Sequence, residues 1–374
     1  MRRFLLSGEG WPYLLVPFIP IAIVLNVADA DATIVFFASV LGVIPTAALM
    51  GRATEELAAR SGPGIGGLLN VTFGNAPELI IAFFALREGL QEVVKASLIG
   101  SVLGNTLLVL GASMLVGGLK HKSQVFDATA AGVQSLMLLL ASIALIMPAV
   151  FQLVAGGGLP SPTEERHNYP SDLEQMSVVV SVVLLSVYVA GLFFSLKTHK
   201  SLFNPSYDED GDGKEDGHDG EPWTVRKAVG LLALAGVAVG IMSEILVGSI
   251  EEASASVGLS PFFVSLIVVA IAGNAAEHWV AVYFASKNKM DLSVNIAIGS
   301  SAQIALFVAP VLVLLSLFVG PYPLSLVFNG FELAGILMAV LVTLAVTRDG
   351  HSTWFEGVQL LAVYLVLGIV FFFV

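Results

Sequence analysis

The sequence has no cysteine, so disulfides and thiolate metal sites are excluded. Charge is nearly as scarce. Asp, Glu, Lys and Arg make up 12% of the 374 residues, against about 25% in soluble proteins. No basic stripe with interleaved aromatics occurs, which argues against nucleic-acid binding. The H-E-x-x-H pattern of zinc proteases is absent, and no nucleophile–base pair or cofactor motif emerges. An enzyme and a bound cofactor are therefore not expected. What the chain has is apolar residues, 56% of the total, in long runs between short charged patches. That is a membrane composition. The net charge of −12 is misleading, because eight acidic residues sit between Asp208 and Glu221.

Arg2 and Arg3, the apolar run from Trp11 to Val27 and then Ala28-Asp29-Ala30 loosely mimic a signal peptide. Pro12, Pro17 and Pro20 interrupt that run and a second apolar segment follows at once, so an uncleaved first helix is the reading taken. A bilayer crossing takes roughly 17–25 residues. On that scale the chain reads as an all-α polytopic membrane protein with eleven spans, at 11–28, 32–51, 63–86, 94–117, 125–148, 174–197, 226–249, 260–286, 291–319, 324–347 and 354–374. With the N-terminus inside, 14 of the 17 basic residues fall in inner loops, and only Arg87, Lys95 and Arg166 in outer ones. Basic residues are retained on the cytoplasmic side, so the bias supports this orientation, which leaves the C-terminus outside.

Gly74-Asn75-Ala76-Pro77-Glu78 recurs 199 residues later as Gly273-Asn274-Ala275-Ala276-Glu277. Ile99-Gly100-Ser101 recurs at the same offset as Ile298-Gly299-Ser300. Each motif lies in the second span of a five-span unit, and the two motif helices cross in opposite directions. The expected organisation is a first helix (1–31), a five-helix repeat (32–197), an acidic cytoplasmic linker (198–225) and an inverted five-helix repeat (226–374). Inverted repeats are typical of secondary transporters, whose sites lie near the midplane between the halves.

Glu78 and Glu277 fall inside apolar helices, where an ionised side chain costs at least ~2.5–3.5 kcal/mol. Such a pair is tolerable if protonated or if it shares a cation. A divalent ion neutralises both carboxylates, and protons have to replace it when it leaves. Asn75 and Asn274 precede the glutamates by three residues and share their helix faces. Carboxylate and amide oxygens are the ligands calcium prefers. Pro77 has no N–H, which frees the Phe73 carbonyl as a further ligand. On the following helices Ser101 and Asn105, and Ser300 and Gln303, are polar groups on apolar faces. They line the site or bond neighbouring helices. His278 points about 100° away from Glu277 around the helix, and either relays protons or is a hydrogen-bonded packing residue.

These residues resemble the calcium/cation–proton antiporters. G-N-A-P-E-L with G-S-V-L-G-N, and G-N-A-A-E-H with G-S-S-A-Q-I, are similar to that family's two signature regions, and the likeness extends over nearly the whole chain. The resemblance implies an exchanger of Ca2+ for H+. It carries ion binding over to Glu78 and Glu277, with Asn75, Asn274, Ser101, Ser300 and Gln303 around them. The family's acidic residues in the first helix of each repeat are matched by Glu55, Glu56 and Glu244. Pro77 replaces a more usual aliphatic residue and is a feature of sodium/calcium exchangers, the alternative reading. A cation channel using the glutamates as a filter is a second alternative, disfavoured by one central pair in place of a ring. In the linker, Asp208, Asp210, Asp212, Gly213 and Asp219 take EF-hand loop spacing, but no flanking helices are expected and a solvated linker is the reading taken. The compact loops fit a prokaryotic plasma membrane.

Overall fold

The computed structural model describes residues 10–162, 165, 169–199 and 223–374. Arg2, Arg3 and the acidic linker with its EF-hand-like spacing lie outside them. In chain order the helices are α1 (Phe18–Val27, entered by a 3-10 turn at Trp11–Leu15), α2 (Ala32–Gly74), α3 (Ala76–Arg87) and α4 (Gln91–His121). There follow α5 (Ala128–Val154), α6 (Ser171–Thr198), α7 (Val225–Ser256) and α8 (Pro261–Ser286). The last three are α9 (Met290–Leu315), α10 (Gly330–Val346) and α11 (Trp354–Phe372). Local chemistry fixes their starts. Asp31 accepts from Thr33 N and Ile34 N at the head of α2, and Asp127 from Thr129 N and Ala130 N at the head of α5. Asn329 with Glu332, and Thr353 with Glu356, form capping boxes on α10 and α11.

Among the described residues, eight helices are long and apolar enough to cross a bilayer, and the pair Leu68–Gly74 and Ala76–Arg87, bent by 42°, adds a ninth. Trp11–Val27 and Gly330–Val346 are shorter apolar helices. The outward faces are apolar, as with Leu136, Leu140, Ile143 and Met147 on α5 and Leu365, Val366 and Ile369 on α11. Such continuous faces are too large for water and fit lipid. The chain is a polytopic, mostly helical membrane protein.

Four details depart from the sequence reading. The loop expected at 52–62 is helical, since it lies within α2 (Ala32–Gly74). It is not straight: a Cβ on Gly66 would stand 2.3 Å from the Ala58 carbonyl, whereas eight residues of straight helix span about 12 Å. The chain folds back within the helix. Second, the span expected at 324–347 starts only at Gly330. Leu324, Leu326, Val327 and Phe328 are buried but not helical, and side chains bond the backbone of this stretch. Gln91 Nε2 donates to the Tyr322 and Pro323 carbonyls (3.2 and 3.0 Å), Lys95 Nζ to the Val327 carbonyl (3.0 Å), and Leu326 N to Ser177 Oγ (2.9 Å). Non-helical backbone at membrane depth requires such enclosure. Third, Lys95 is therefore not a loop charge; it is 1% exposed and ion-paired with Glu92. Fourth, the all-α expectation misses a two-stranded antiparallel ribbon of β1 (Ser123–Val125) and β2 (His351–Thr353).

Two helices form a long antiparallel pair. Thr33 at the start of α2 bonds Ser256 at the end of α7 (2.5 Å), and Glu56 further along α2 accepts from Trp223 N just ahead of α7 (2.8 Å). α4 and α9 each contain a π-helical turn, at Gly104–Val109 and Ile304–Val308. These turns start within one residue of the 199-residue offset of the motifs. A π turn re-aims side chains and often marks a functional site.

Candidate cation site

Glu78 stands in the first turn of α3. The chain bends just before it, at Asn75, where Asn75 N bonds back to the Phe73 carbonyl. That carbonyl is thus engaged by a tight turn and is not left open by Pro77 alone. Glu277 lies within α8. The two carboxylates are within electrostatic reach of each other. Gly273 lets them approach: a Cβ there would lie 3.8 Å from Glu78 Oε1. Glu78 is 8% exposed. Glu277 is less enclosed, and Glu55 of α2 lies within its electrostatic reach.

The surrounding polar side chains pair across the two motifs. Asn75 Nδ2 donates to Gln303 Oε1 of α9 (2.6 Å), while Asn274 Nδ2 donates to Ser101 Oγ of α4 (3.1 Å) and to the Ala270 carbonyl (2.9 Å). Ser300 Oγ donates to Glu277 Oε2 (3.0 Å). His278 Nε2 bonds Asn105 Oδ1 (3.0 Å), tying α8 to the π turn of α4. Each asparagine spends its amide N–H on a neighbour, so its carbonyl oxygen is turned elsewhere. Asn75 Oδ1, Asn274 Oδ1 and Glu78 Oε2 are buried and have no hydrogen-bond partner. A buried polar atom left without a partner asks for an explanation. Here all three are acceptors, and all belong to the duplicated motif.

A cavity of about 10 Å³ lies beside Glu78, walled by Ser97, Leu98, Ser101, Ala270 and Gly273, close to the smallest space that holds one water. Among the described residues no group of three or more His, Asp or Glu side chains gathers to hold a metal. The candidate donors are instead two carboxylates and two amide oxygens. Glu244 is not brought to this centre. It lies on α7 with its side chain 56% exposed and accepts from Arg87 Nη2 (2.7 Å).

The sequence reading missed two groups. Lys95, Glu92 and Glu332 form a buried charged cluster near the starts of α4 and α10. Its one signal was the N-x-x-E capping spacing of Asn329 and Glu332. The second is an amide pair, Gln134 Nε2 to Asn295 Oδ1 (2.9 Å), which joins α5 to α9.

The sodium/calcium exchanger protein profile matches residues 32–197 and 227–373. The Ca(2+)/H(+) antiporter of Synechocystis is 43% identical over 369 residues, covering 96% of both chains. The Ca(2+)/H(+) antiporter ChaA of Bacillus subtilis is 43% identical over 356 residues, covering 95% of this chain and 96% of its own. The solved structure of native YfkE superposes with a TM-score of 0.80 at 39% identity, covering 97% of this chain and all of that one. Duplicated motif, paired glutamates and these likenesses converge: the chain belongs to the sodium/calcium exchanger protein family and, within it, to the calcium/cation–proton antiporters.

Proposed function

We propose that this protein exchanges Ca2+ for H+ across a membrane by exposing one two-glutamate site alternately to its two sides. The observation that carries the reading is the set of buried acceptors without a donor: Asn75 Oδ1, Asn274 Oδ1 and Glu78 Oε2. Together with Glu277 they supply the hard oxygen ligands that calcium takes, and the second lone pair of the Phe73 carbonyl adds to them. Ca2+ neutralises both carboxylates. On its departure protons take its place, because two bare carboxylates facing each other at membrane depth are costly. Competition of both ions for the same oxygens couples the two fluxes.

The antiparallel α2–α7 pair and the matching π turns support inverted repeats over 32–197 and 226–374, with α1 outside the symmetry. Eight long helices, the bent pair and the two shorter apolar ones together fit eleven crossings. The distribution of basic residues supports a cytoplasmic N-terminus, and compact loops point to a prokaryotic plasma membrane. Proton coupling is favoured by the names of the relatives from Synechocystis and B. subtilis. Sodium coupling is the second reading, on the strength of Pro77.

Purified protein in sealed vesicles decides between them. Ca2+ uptake is expected to follow an imposed pH gradient and to ignore a Na+ gradient. Uptake that follows Na+ and is indifferent to pH would overturn proton coupling, and single-channel currents would replace exchange with a channel.

A further inference from the structure

Asp291, Asn295, Gly299 and Gln303 recur every four residues along α9, so they lie along one slowly turning stripe of that helix. All four are partly exposed, although the helix around them is mostly buried. The stripe starts at the head of α5, where Asp291 Oδ1 accepts from Asp127 N (2.6 Å). It ends at Gln303, which holds Asn75 in the cation site. Midway, Gln134 of α5 faces it. Gln134 Nε2 donates to Asn295 Oδ1, and a Cβ on Gly299 would lie 3.5 Å from that same nitrogen. The Gln134 carbonyl oxygen is buried and has no hydrogen-bond partner. Lipid cannot satisfy such amides, and a tightly packed interior would leave no exposure.

We infer that this stripe is the water-filled lane by which the cation reaches Glu277 and Asn75, and that the Gln134–Asn295 amide pair is its narrowing. The inference rests on the reading of the central site as a cation site. A hydrated cation meets an acidic mouth at Asp291 and then amide and backbone oxygens, which replace its hydration water one at a time. The free Gln134 oxygen becomes a ligand when the amide pair parts. Lys120, Lys122, Lys287, Lys289 and Arg348 flank this end of the bundle in sequence, and Asp127 and Asp291 set negative charge among them at the mouth. On the orientation proposed above, the lane opens to the cytoplasm.

A chain without cysteine allows a direct test. Single cysteines are placed in the full-length protein in sealed vesicles and challenged with a cationic methanethiosulfonate. N295C and G299C are expected to react from the Asp291 side only, and more slowly with Ca2+ present. A96C, on the corresponding stripe of α4, is expected to stay unreactive. Asn295→Leu should slow Ca2+ exchange about tenfold, the effect of stranding one polar partner, while equilibrium Ca2+ binding in detergent stays at the parental level. Failure of N295C to react, equal reaction of A96C, or exchange at the parental rate by Asn295→Leu would each overturn the lane. A reactive N295C in a parent protein that binds no Ca2+ would leave the lane standing but overturn its link to a cation site.

Discussion

The stripe on α9 has a counterpart on α4. At the 199-residue offset, Asp291, Asn295, Gly299 and Gln303 correspond to Glu92, Ala96, Gly100 and Gly104. Both stripes lead from an acidic residue at a helix start to a π turn beside the candidate site, yet their surroundings differ. All four α4 positions are buried. A Cβ on Gly100 would stand 2.0 Å from the Leu266 carbonyl of α8, whereas one on Gly299 meets nothing nearer than the Gln134 amide at 3.5 Å. Two sequences of the same spacing thus produce one sealed wall and one open one. Small residues let α8 close on α4 backbone to backbone, while amides on α9 hold space for water. Closure on one side is built from the absence of side chains, and access on the other from polar ones.

The two ends of that contrast can be separated experimentally. Glu78→Gln and Glu277→Gln should each abolish Ca2+/H+ exchange while leaving the protein inserted and folded, as read by vesicle flux and size-exclusion profile; near-normal flux in either would break the shared-site reading. Gly100→Ala should lower the melting temperature in detergent by several degrees, since overpacking costs ~1–3 kcal/mol and the obstacle is backbone. Gly299→Ala should melt with the parent. Equal behaviour of the two glycines would erase the asymmetry between stripes. Ser300→Ala removes the hydroxyl that donates to Glu277, and should raise the Ca2+ concentration for half-maximal flux about fivefold, from the loss of ~1 kcal/mol.

The smallest effect concerns the far end of the sealed stripe. Both oxygens of Glu165 accept from Glu92 N (3.1 and 3.0 Å), and burial pushes the Glu165 carboxyl above its ordinary value. The folded chain then holds this proton more tightly than the unfolded one. Its contribution to stability is present below the ordinary Glu value of about 4.3 and is lost as pH rises from there through the folded value. Glu165→Gln should flatten the fall in melting temperature over that window. A slope identical to the parent would remove Glu165 from the account.

The central motif was legible because chemistry and position repeat together. Two glutamates in apolar runs, each with Asn three residues before, stand out as candidates without a structure. Partner choice did not: spacing alone puts Asn75 beside Glu78, whereas its amide reaches Gln303, more than two hundred residues away. Nor did Lys95 declare itself. Near the end of an apolar run a lysine reads as a boundary charge, and only the carbonyl of Val327 and the carboxylate of Glu92 explain its burial. Residues 324–328 read as helix because hydropathy registers composition and not the hydrogen bonds that Gln91, Lys95 and Ser177 supply. Residues 52–62 read as a loop for the converse reason: the charges from Arg52 to Arg60 mark the end of an apolar run, yet they lie within α2.

The buried non-helical stretch before α10 also constrains how the protein is made. Its carbonyls are bound by Gln91 and Lys95, which leave the ribosome more than two hundred residues earlier. Until residues 322–327 emerge, those two side chains sit at the head of α4 without the acceptors they serve in the finished molecule. The first half can enter the membrane on its own hydrophobicity, but it cannot complete the head of α4 until most of the second half has been synthesised. Biogenesis therefore ends with a stitch between the halves: a chain truncated before Tyr322 would keep the Lys95–Glu92 pair but would present the membrane quality-control machinery with a lysine and a glutamine that lack their backbone acceptors.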